Sequence, residues 1–542
     1  MKKTRILVTV LMALLLAMPV LNVGVAQTAD NSEFNLTWYV DLSWWKWGGL
    51  EWGQDVVSRI IKEKTGANIT FIVPASDDGT QLATMIASGT LPDVITIEGW
   101  WDASNRALTN KMAAEGLILP FNDLIDKYAP EAKDVIRPDV FSWFAEADGK
   151  TYLLPNYAYS NKDLAEGEQL IPNGCFTVRK DLWEAIGSPD MSTPEAFLAA
   201  CKKVMDEVGT YNGQSIIPIQ LYEGVGNSVL WLSQYFATPY ENADGQYQYD
   251  FLQPQYKEAL KFLNTAYNMG LINEANFSDN RDLVNEKIAS GRVFAQFTAP
   301  QDFVPAMQSL YDTDPNAVYV PFELRNSAGD EPVLQDIRGM GWLTTAVTSN
   351  AKNPDRIMKL ISYLLSDEGQ IACTYGEEKV NWNWTQDGKI EQTAETKADI
   401  QAGNGAKYGL GSFMMLDNYA LRRKWEVPTT DPKLLATQDT IVKVPMAKYS
   451  YDFTAAGLKI DPTDPRVANL QEVSTKIASI RTPYIAQLVT AKDDAAFETL
   501  YQNAITDMQA AGLNDLIAFN NDGFQNAKKA LGIAFSWPPL TK

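Results

Sequence analysis

One stretch decides the fold, QLATMIASGTLPDVITI at residues 81–97, and the sequence EGWW follows it. Its first part predicts a short helix with one apolar face, capped by Thr80 and ended by Gly89 in the left-handed conformation. Pro92 then fixes the entry to a strand over residues 93–97, which are β-branched and too apolar for the surface. The pattern therefore predicts a buried strand inside a sheet that is covered on both faces.

The elements before this stretch alternate between strand and helix. Residues 35–40 predict a first strand, and a helix over 54–64 follows it and ends at Gly66. Residues 68–73 predict a second strand, which leads into the helix and strand of 81–97. The order β-α-β-α-β predicts an α/β fold with a parallel sheet. Ligands of such sheets bind beyond the carboxyl ends of the strands.

The order of residues within 82–94 resembles the "L...IASG..PDV" pattern of extracellular solute-binding proteins of sugar ABC transporters. Further blocks similar to that family follow in the same order, at 117–128, 148–155, 176–183, 363–370 and 497–526. The last block resembles the larger, oligosaccharide-binding subfamily. The resemblance implies a two-lobed, type II periplasmic-binding-protein-like fold, with interlobe hinge strands and a ligand cleft.

The length of 542 residues exceeds what one hydrophobic core normally supports, which also favours two lobes. The resemblance implies three crossings between them. We therefore expect an N-terminal lobe made of residues 27–156 and 298–340. The C-terminal lobe would consist of residues 157–297 and 341–542.

Residues 1–26 predict a signal peptide, because a basic start precedes the apolar run 6–21 and small residues lead to a cleavage site after Ala26. A membrane anchor is the alternative, but the run is short and contains Pro19. The cleavage site has no cysteine, so we expect no lipid anchor. These features predict a periplasmic or secreted protein.

Histidine is absent from the sequence, which excludes Ser-His and Cys-His nucleophilic systems and His-ligated zinc. Cys175, Cys201 and Cys373 are too few for a disulfide framework. A bridge between Cys175 and Cys201 stays open, although Cys201 fits a buried, inert thiol. A hairpin turn at 244–245 has acidic neighbours, but it lacks the spacing and the final glutamate of an EF-hand. We therefore expect no metal and no cofactor.

The formal charge of −21 makes nucleic acid a poor partner and favours solubility. Several of the 15 tryptophans stand in polar surroundings at predicted strand ends, where core tryptophans seldom cluster. A flat ring beside polar groups suits a sugar, which offers C–H groups for stacking and hydroxyls for hydrogen bonds. The aromatic content favours an oligosaccharide.

The expected ligand-binding residues are Trp44, Trp45, Trp47, Glu98, Trp100, Trp101, Tyr157, Tyr159, Trp231, Arg338, Trp342 and Trp382. Core packing is an alternative for Trp100, Trp101 and Trp231, and covering a surface loop is one for Trp382. Arg338 would pair with a uronic carboxylate or form a hinge salt bridge.

The resemblance implies a solute-binding component that closes on a carbohydrate and delivers it to the permease subunits of an ABC importer. We expect a monomer with no catalytic residues. One alternative is a secreted glycoside hydrolase, which would need only a carboxylate pair, with Asp41, Glu51 and Glu98 as candidates. The other alternative is a binding protein for a peptide or another polar solute.

Overall fold

The computed structural model describes residues 31–76, 79–99, 103–146, 148–156, 171–222, 224–336, 340–418, 424–427, 432–437, 444–461, 464–534 and 537. The strands are β1 (Phe34–Val40), β2 (Ala67–Ile72), β3 (Val94–Glu98), β4 (Leu154–Pro155), β5 (Thr177–Arg179), β6 (Thr210–Tyr211), β7 (Gln214–Ser215), β8 (Ile217–Leu221), β9 (Val293–Phe297), β10 (Tyr319–Pro321), β11 (Leu334–Gln335), β12 (Leu343–Val347), β13 (Trp382–Trp384), β14 (Ile390–Gln392) and β15 (Ser450–Tyr451).

The helices are α1 (Val56–Thr65), α2 (Thr80–Ser88), α3 (Ala103–Ala114), α4 (Phe121–Tyr128), α5 (Pro138–Trp143), α6 (Lys180–Ala185), α7 (Pro194–Glu207), α8 (Val225–Tyr235), α9 (Pro254–Asn268), α10 (Arg281–Ala289), α11 (Val304–Thr313), α12 (Pro354–Leu365), α13 (Asp367–Tyr375), α14 (Ala394–Gln401), α15 (Pro432–Thr437), α16 (Val467–Val489), α17 (Asp494–Ala510) and α18 (Leu513–Leu531). No described helix is both long and apolar enough to cross a membrane.

The first sheet has the strand order β2-β1-β3-β12-β4. β1 pairs in parallel with both β2 and β3, which confirms the predicted β-α-β-α-β unit. Its two faces are both covered, since Trp38 packs into a cluster with Phe121 whereas Tyr39 packs into another with Leu82. All of β3 except Glu98 is buried, as predicted.

The helix ends follow the predicted glycines. Gly66 ends α1 with φ +75°, and Gly89 ends α2 with φ +67°. Asp55 caps α1, because its side chain accepts a hydrogen bond from the backbone of Ser58. The prediction that Thr80 caps α2 is wrong: Gly79 holds the cap position, and Thr80 is the first helical residue.

The second sheet has the order β10-β5-β9-β8, with β8 and β9 parallel and the other pairs antiparallel. One face carries a large aromatic core, in which Phe176 stacks on Tyr235 and Phe297 at centroid distances of 4.2 Å and 4.0 Å. The opposite face packs against α10 and α11 through Ile288 and Met307. Each sheet therefore has its own core.

The pairing of two later strands differs from the predicted lobe boundaries. Residues 298–340 were expected in the N-terminal lobe, yet β10 joins β5 in the second sheet. Residues 341–542 were expected in the C-terminal lobe, yet β12 lies between β3 and β4 in the first sheet. Helix α12 also packs on the first sheet's core, where Ile361 belongs to the same cluster as Phe121. Antiparallel pairing between distant segments sets both assignments.

The three cysteines are free and buried, so Cys175 and Cys201 form no bridge. Burial raises the pKa of the Cys201 thiol well above its ordinary value, because desolvation disfavours the thiolate. Burial raises the pKa of Cys373 in the same way. The predicted inert thiol at Cys201 fits this environment.

Gly341 precedes β12 in a left-handed conformation, with φ +78°, and a Cβ there would lie 1.8 Å from the backbone oxygen of Asn156. We expect Gly341→Ala to lower the free energy of unfolding by about 3 kcal/mol or more, since a backbone clash adds to the cost of the positive φ. Gly116→Ala is the control, because Gly116 has φ +69° and open space around it. It should cost only about 1–2 kcal/mol in urea unfolding. Equal losses would contradict the tight junction.

Candidate functional site

Two tryptophans stand together at the edge of the first sheet. Trp44 follows the end of β1, and Trp342 immediately precedes the antiparallel strand β12, so both lie at the same edge. Their rings are 6.3 Å apart between centroids and nearly parallel, with an interplanar angle of 11°. Trp44 is 49% exposed, which is unusual for so large an apolar side chain. The pair therefore presents an aromatic surface to solvent.

Asn156 fixes the position of Trp342. Its Oδ1 accepts hydrogen bonds from the backbone N–H groups of Trp342 and Leu343, at 3.1 Å and 2.9 Å. Its Nδ2 donates to the carbonyl of Met414 at 3.0 Å. The backbone N–H of Gly99, directly after β3, donates to the carbonyl of Trp342 at 3.0 Å. The aromatic surface thus rests on a rigid junction beside the carboxyl end of β3.

A charged cluster stands at the corresponding edge of the second sheet. Tyr222 follows β8, Arg281 begins α10, and Asp302 lies in a short turn after β9. The Tyr222 hydroxyl accepts a hydrogen bond from Arg281 Nη2 at 3.0 Å and donates one to the Asp302 carboxylate. Arg281 Nη2 is 3.5 Å from Asp302 Oδ2. Because β8 and β9 are parallel, their carboxyl ends bring these groups together.

The two edges face each other. The guanidinium carbon of Arg281 lies 5.7 Å from the centroid of the Trp44 ring, a cation–π distance. One wall of this cleft is therefore aromatic, and the other offers a guanidinium, a hydroxyl and a carboxylate. Together they can stack on the C–H face of a polar ring and exchange hydrogen bonds with its hydroxyls.

Trp45 and Trp47 pack inward beside Trp44. Trp45 is only 5% exposed, and its ring meets the edge of Phe71 at 4.9 Å between centroids. Trp47 stacks on Phe71, and its Nε1 donates to Asp55 at 3.0 Å. The structure thus places these two residues in the first core, whereas Trp44 is exposed.

The other described candidates are dispersed. Trp231 packs on the second core, and its ring fills the space where Gly174 would carry a Cβ. Trp382 is 4% exposed and donates from Nε1 to the carbonyl of Gly376 at 3.0 Å. Glu98 is half-buried at the end of β3, where its register partner is Leu343, the residue after Trp342. Trp100, Trp101, Tyr157, Tyr159 and Arg338 lie outside the described residues.

Four residues of this region were not predicted from the sequence: Tyr222, Arg281, Asp302 and Asn156. A signal for Tyr222 was present, because it follows the apolar residues IPIQL just as Glu98 follows the apolar residues VITI. Arg281 and Asp302 carried none, since only the tertiary fold brings them to Tyr222.

Comparison with known proteins gives a consistent result. The family described as "Bacterial extracellular solute-binding protein" matches residues 51–371. The fructooligosaccharide ABC transporter substrate-binding protein FusA of Streptococcus pneumoniae is 26% identical over 341 residues. That alignment covers 60% of this chain and 60% of FusA, less than two thirds of either.

Three solved structures share the fold over nearly their whole length. Alginate-binding protein AlgQ2 without calcium ion has a TM-score of 0.65 and 16% identity, over 92% of this chain and 99% of its own. The S. pneumoniae FusA EF-hand mutant in complex with fructo-nystose has a TM-score of 0.65 and 17% identity, and the match covers 92% of this chain and 100% of its own. The HMO binding solute-binding protein of Bifidobacterium longum infantis has a TM-score of 0.67 and 14% identity, and the match covers 93% of this chain and 100% of its own. These likenesses confirm the two-lobed α/β fold.

The neighbours Trp44 and Trp45 should respond differently to truncation. We expect Trp45→Ala to lower the free energy of unfolding by about 3–5 kcal/mol, because it opens a cavity in the core. Trp44→Ala should change it by less than about 1 kcal/mol, since the ring is half exposed. Chemical denaturation of both variants measures the difference. A large loss in Trp44→Ala would show that this ring supports the core.

Proposed function

Because the chain belongs to the bacterial extracellular solute-binding protein family, we propose that it captures a carbohydrate for an ABC importer. The carbohydrate binds between the two lobes, and the closed, loaded form delivers it to the permease subunits in the membrane. The protein acts by binding, without a catalytic step.

One observation carries the proposal: the aromatic pair Trp44–Trp342 faces the charged cluster Tyr222–Arg281–Asp302 across the cleft. A sugar ring needs both kinds of surface, an apolar face for its C–H groups and polar partners for its hydroxyls. A purely apolar ligand would remove water from the charged wall without replacing the hydrogen bonds that its groups make to water, which is costly. The geometry therefore supports a hydroxylated ligand.

The similar proteins favour an oligosaccharide over a single sugar. FusA is named for fructooligosaccharides, and the Bifidobacterium protein is described as HMO binding. We propose the same class for this chain, because several aromatic side chains at a cleft suit a ligand of several rings. Trp100, Trp101, Tyr157, Tyr159 and Arg338 remain proposed ligand residues beside Trp44 and Trp342.

Closure follows from contacts to both lobes. A ligand that touches Trp44 on one lobe and Arg281 on the other binds the closed state more tightly than the open one. It therefore shifts the population by the difference between its two affinities. The cation–π contact contributes only about 0.5–1 kcal/mol at an exposed position, so the ligand has to supply most of the stabilisation of the closed state.

The proposed setting is outside the cytoplasmic membrane. The family is extracellular, which fits a periplasmic or secreted protein. We propose that residues 1–26 are the signal peptide that sends it there, that no lipid holds it, and that it works as a monomer without nucleic acid.

A ligand panel on residues 27–542 tests this function. We expect neutral or uronate oligosaccharides, and not peptides, to raise the midpoint of thermal unfolding, because a ligand of the folded state stabilises it by mass action. The same sugar should change tryptophan emission. Product analysis is the control: release of shorter sugars would establish the hydrolase, and stabilisation by peptides alone would establish the peptide-binding protein.

The contribution of Trp44 to sugar binding can be measured separately. With the sugar found in the panel, Trp44→Ala should weaken binding about tenfold or more, ~1.4 kcal/mol, because a stacking surface is lost. Trp384→Ala is the matched control, since Trp384 is 45% exposed but lies on the β13–β14 hairpin. Calorimetric titration should give the control the wild-type affinity. Equal losses in both variants, or none in Trp44→Ala, would remove Trp44 from the site.

A further inference from the structure

The turn between Glu241 and Tyr247 raises the question of a bound cation, since its sequence, ENADGQY, is rich in oxygen ligands. Calcium and an EF-hand also occur in the descriptions of two similar structures. Among the described residues of this chain, however, no group of three or more acidic, histidine or cysteine side chains could hold a metal.

The turn is tightly closed by its own hydrogen bonds. Glu241 and Tyr247 form an antiparallel bridge. Asn242 Oδ1 accepts from the backbone N–H groups of Asp244 and Gln246, at 3.0 Å and 2.9 Å. Gly245 takes the left-handed conformation, with φ +74°. This folding directs the Gly245 carbonyl and the Glu241 carboxylate toward one point.

The Lys528 ammonium, from α18, occupies that point. Its Nζ lies 2.5 Å from Glu241 Oε1 and 3.1 Å from the carbonyl oxygen of Gly245. The side chains of Lys528 and Glu241 are only 7% and 0% exposed. The second carboxylate oxygen of Glu241 accepts the backbone N–H of Trp537 at 3.0 Å. Carboxylate and carbonyl thus surround a buried positive charge.

We propose that Lys528 is the built-in cation of this turn and does there what a bound metal ion does in a calcium loop. A metal ion at the same oxygens would stand within a few ångströms of the ammonium, and like charges at that distance repel strongly. The donor set therefore does not fit a divalent cation while Lys528 is present. The chain supplies its own charge to the turn.

The arrangement fastens the end of the chain to the rest of the molecule. Phe524 and Ala527 of α18 share a hydrophobic cluster with Tyr240 beside the turn and with Trp143 and Tyr39 of the first lobe. The Lys528–Glu241 pair lies beside this cluster. The cluster joins Tyr39 of the first sheet to Tyr240, which lies near the second sheet's core. The supply of a metal ion therefore does not control how the C-terminal helix is held.

Thermal unfolding of residues 27–542 tests the proposal without any sugar, so its outcome is separate from that of the ligand panel. The wild-type midpoint should stay within about 1 °C between EDTA and millimolar calcium chloride. Lys528→Met, which keeps the alkyl stem, should lower the midpoint by about 5 °C or more, because it leaves a carboxylate buried without its cation. Lys202→Met is the control, since Lys202 pairs with Asp206 on the surface. It should change the midpoint little.

A double variant keeps the test decisive if Lys528→Met folds poorly. Glu241→Gln combined with Lys528→Met removes both charges, so it should be more stable than Lys528→Met alone. Two results would overturn the proposal. One is a wild-type midpoint that rises with calcium and falls with EDTA, and the other is a Lys528→Met variant that behaves like Lys202→Met.

Discussion

The antiparallel pairing of β12 with β3 is the constraint on which the rest of the structure depends. Thr345 and Thr96 are register partners, and their buried hydroxyls share a hydrogen bond of 2.8 Å. Thr96 also accepts the Nε1–H of Trp38 at 2.9 Å, which extends the polar chain to β1. Buried polar groups are costly when unpaired, so this chain of partners specifies one register. That register brings Trp342 to the end of β3.

The same pairing explains which parts of the fold the sequence could predict. The unit from β1 to β3 is local: apolar periodicity, two glycine helix ends and Pro92 all lie within the segments that they shape. β10 and β12 pair with strands that lie far away along the chain, and their own residues do not indicate which strand is the partner. The predicted lobe boundaries failed at these two strands for that reason.

The candidate site shows the same division. Strand-end reasoning predicted Trp44 at the edge of the sheet, where the structure places it, because the position of a residue after a strand is a local property. It did not separate Trp44 from Trp45, since burial depends on whether Phe71 and Ser412 approach from elsewhere. The second wall was missed because Arg281 and Asp302 meet only when the carboxyl ends of β8 and β9 align.

The inward packing of Trp45 and Trp47 has a role of its own in the cleft. Both indole N–H groups are tied down, Trp45 to the carbonyl of Ser412 at 3.3 Å and Trp47 to Asp55 at 3.0 Å. The loop that carries Trp44 is thereby anchored at Trp45 and at Trp47. A ring on an anchored loop loses less conformational entropy when a ligand stacks on it, so more of the contact energy remains as affinity. Trp45 and Trp47 therefore give rigidity to Trp44, and this rigidity would favour binding at the proposed site.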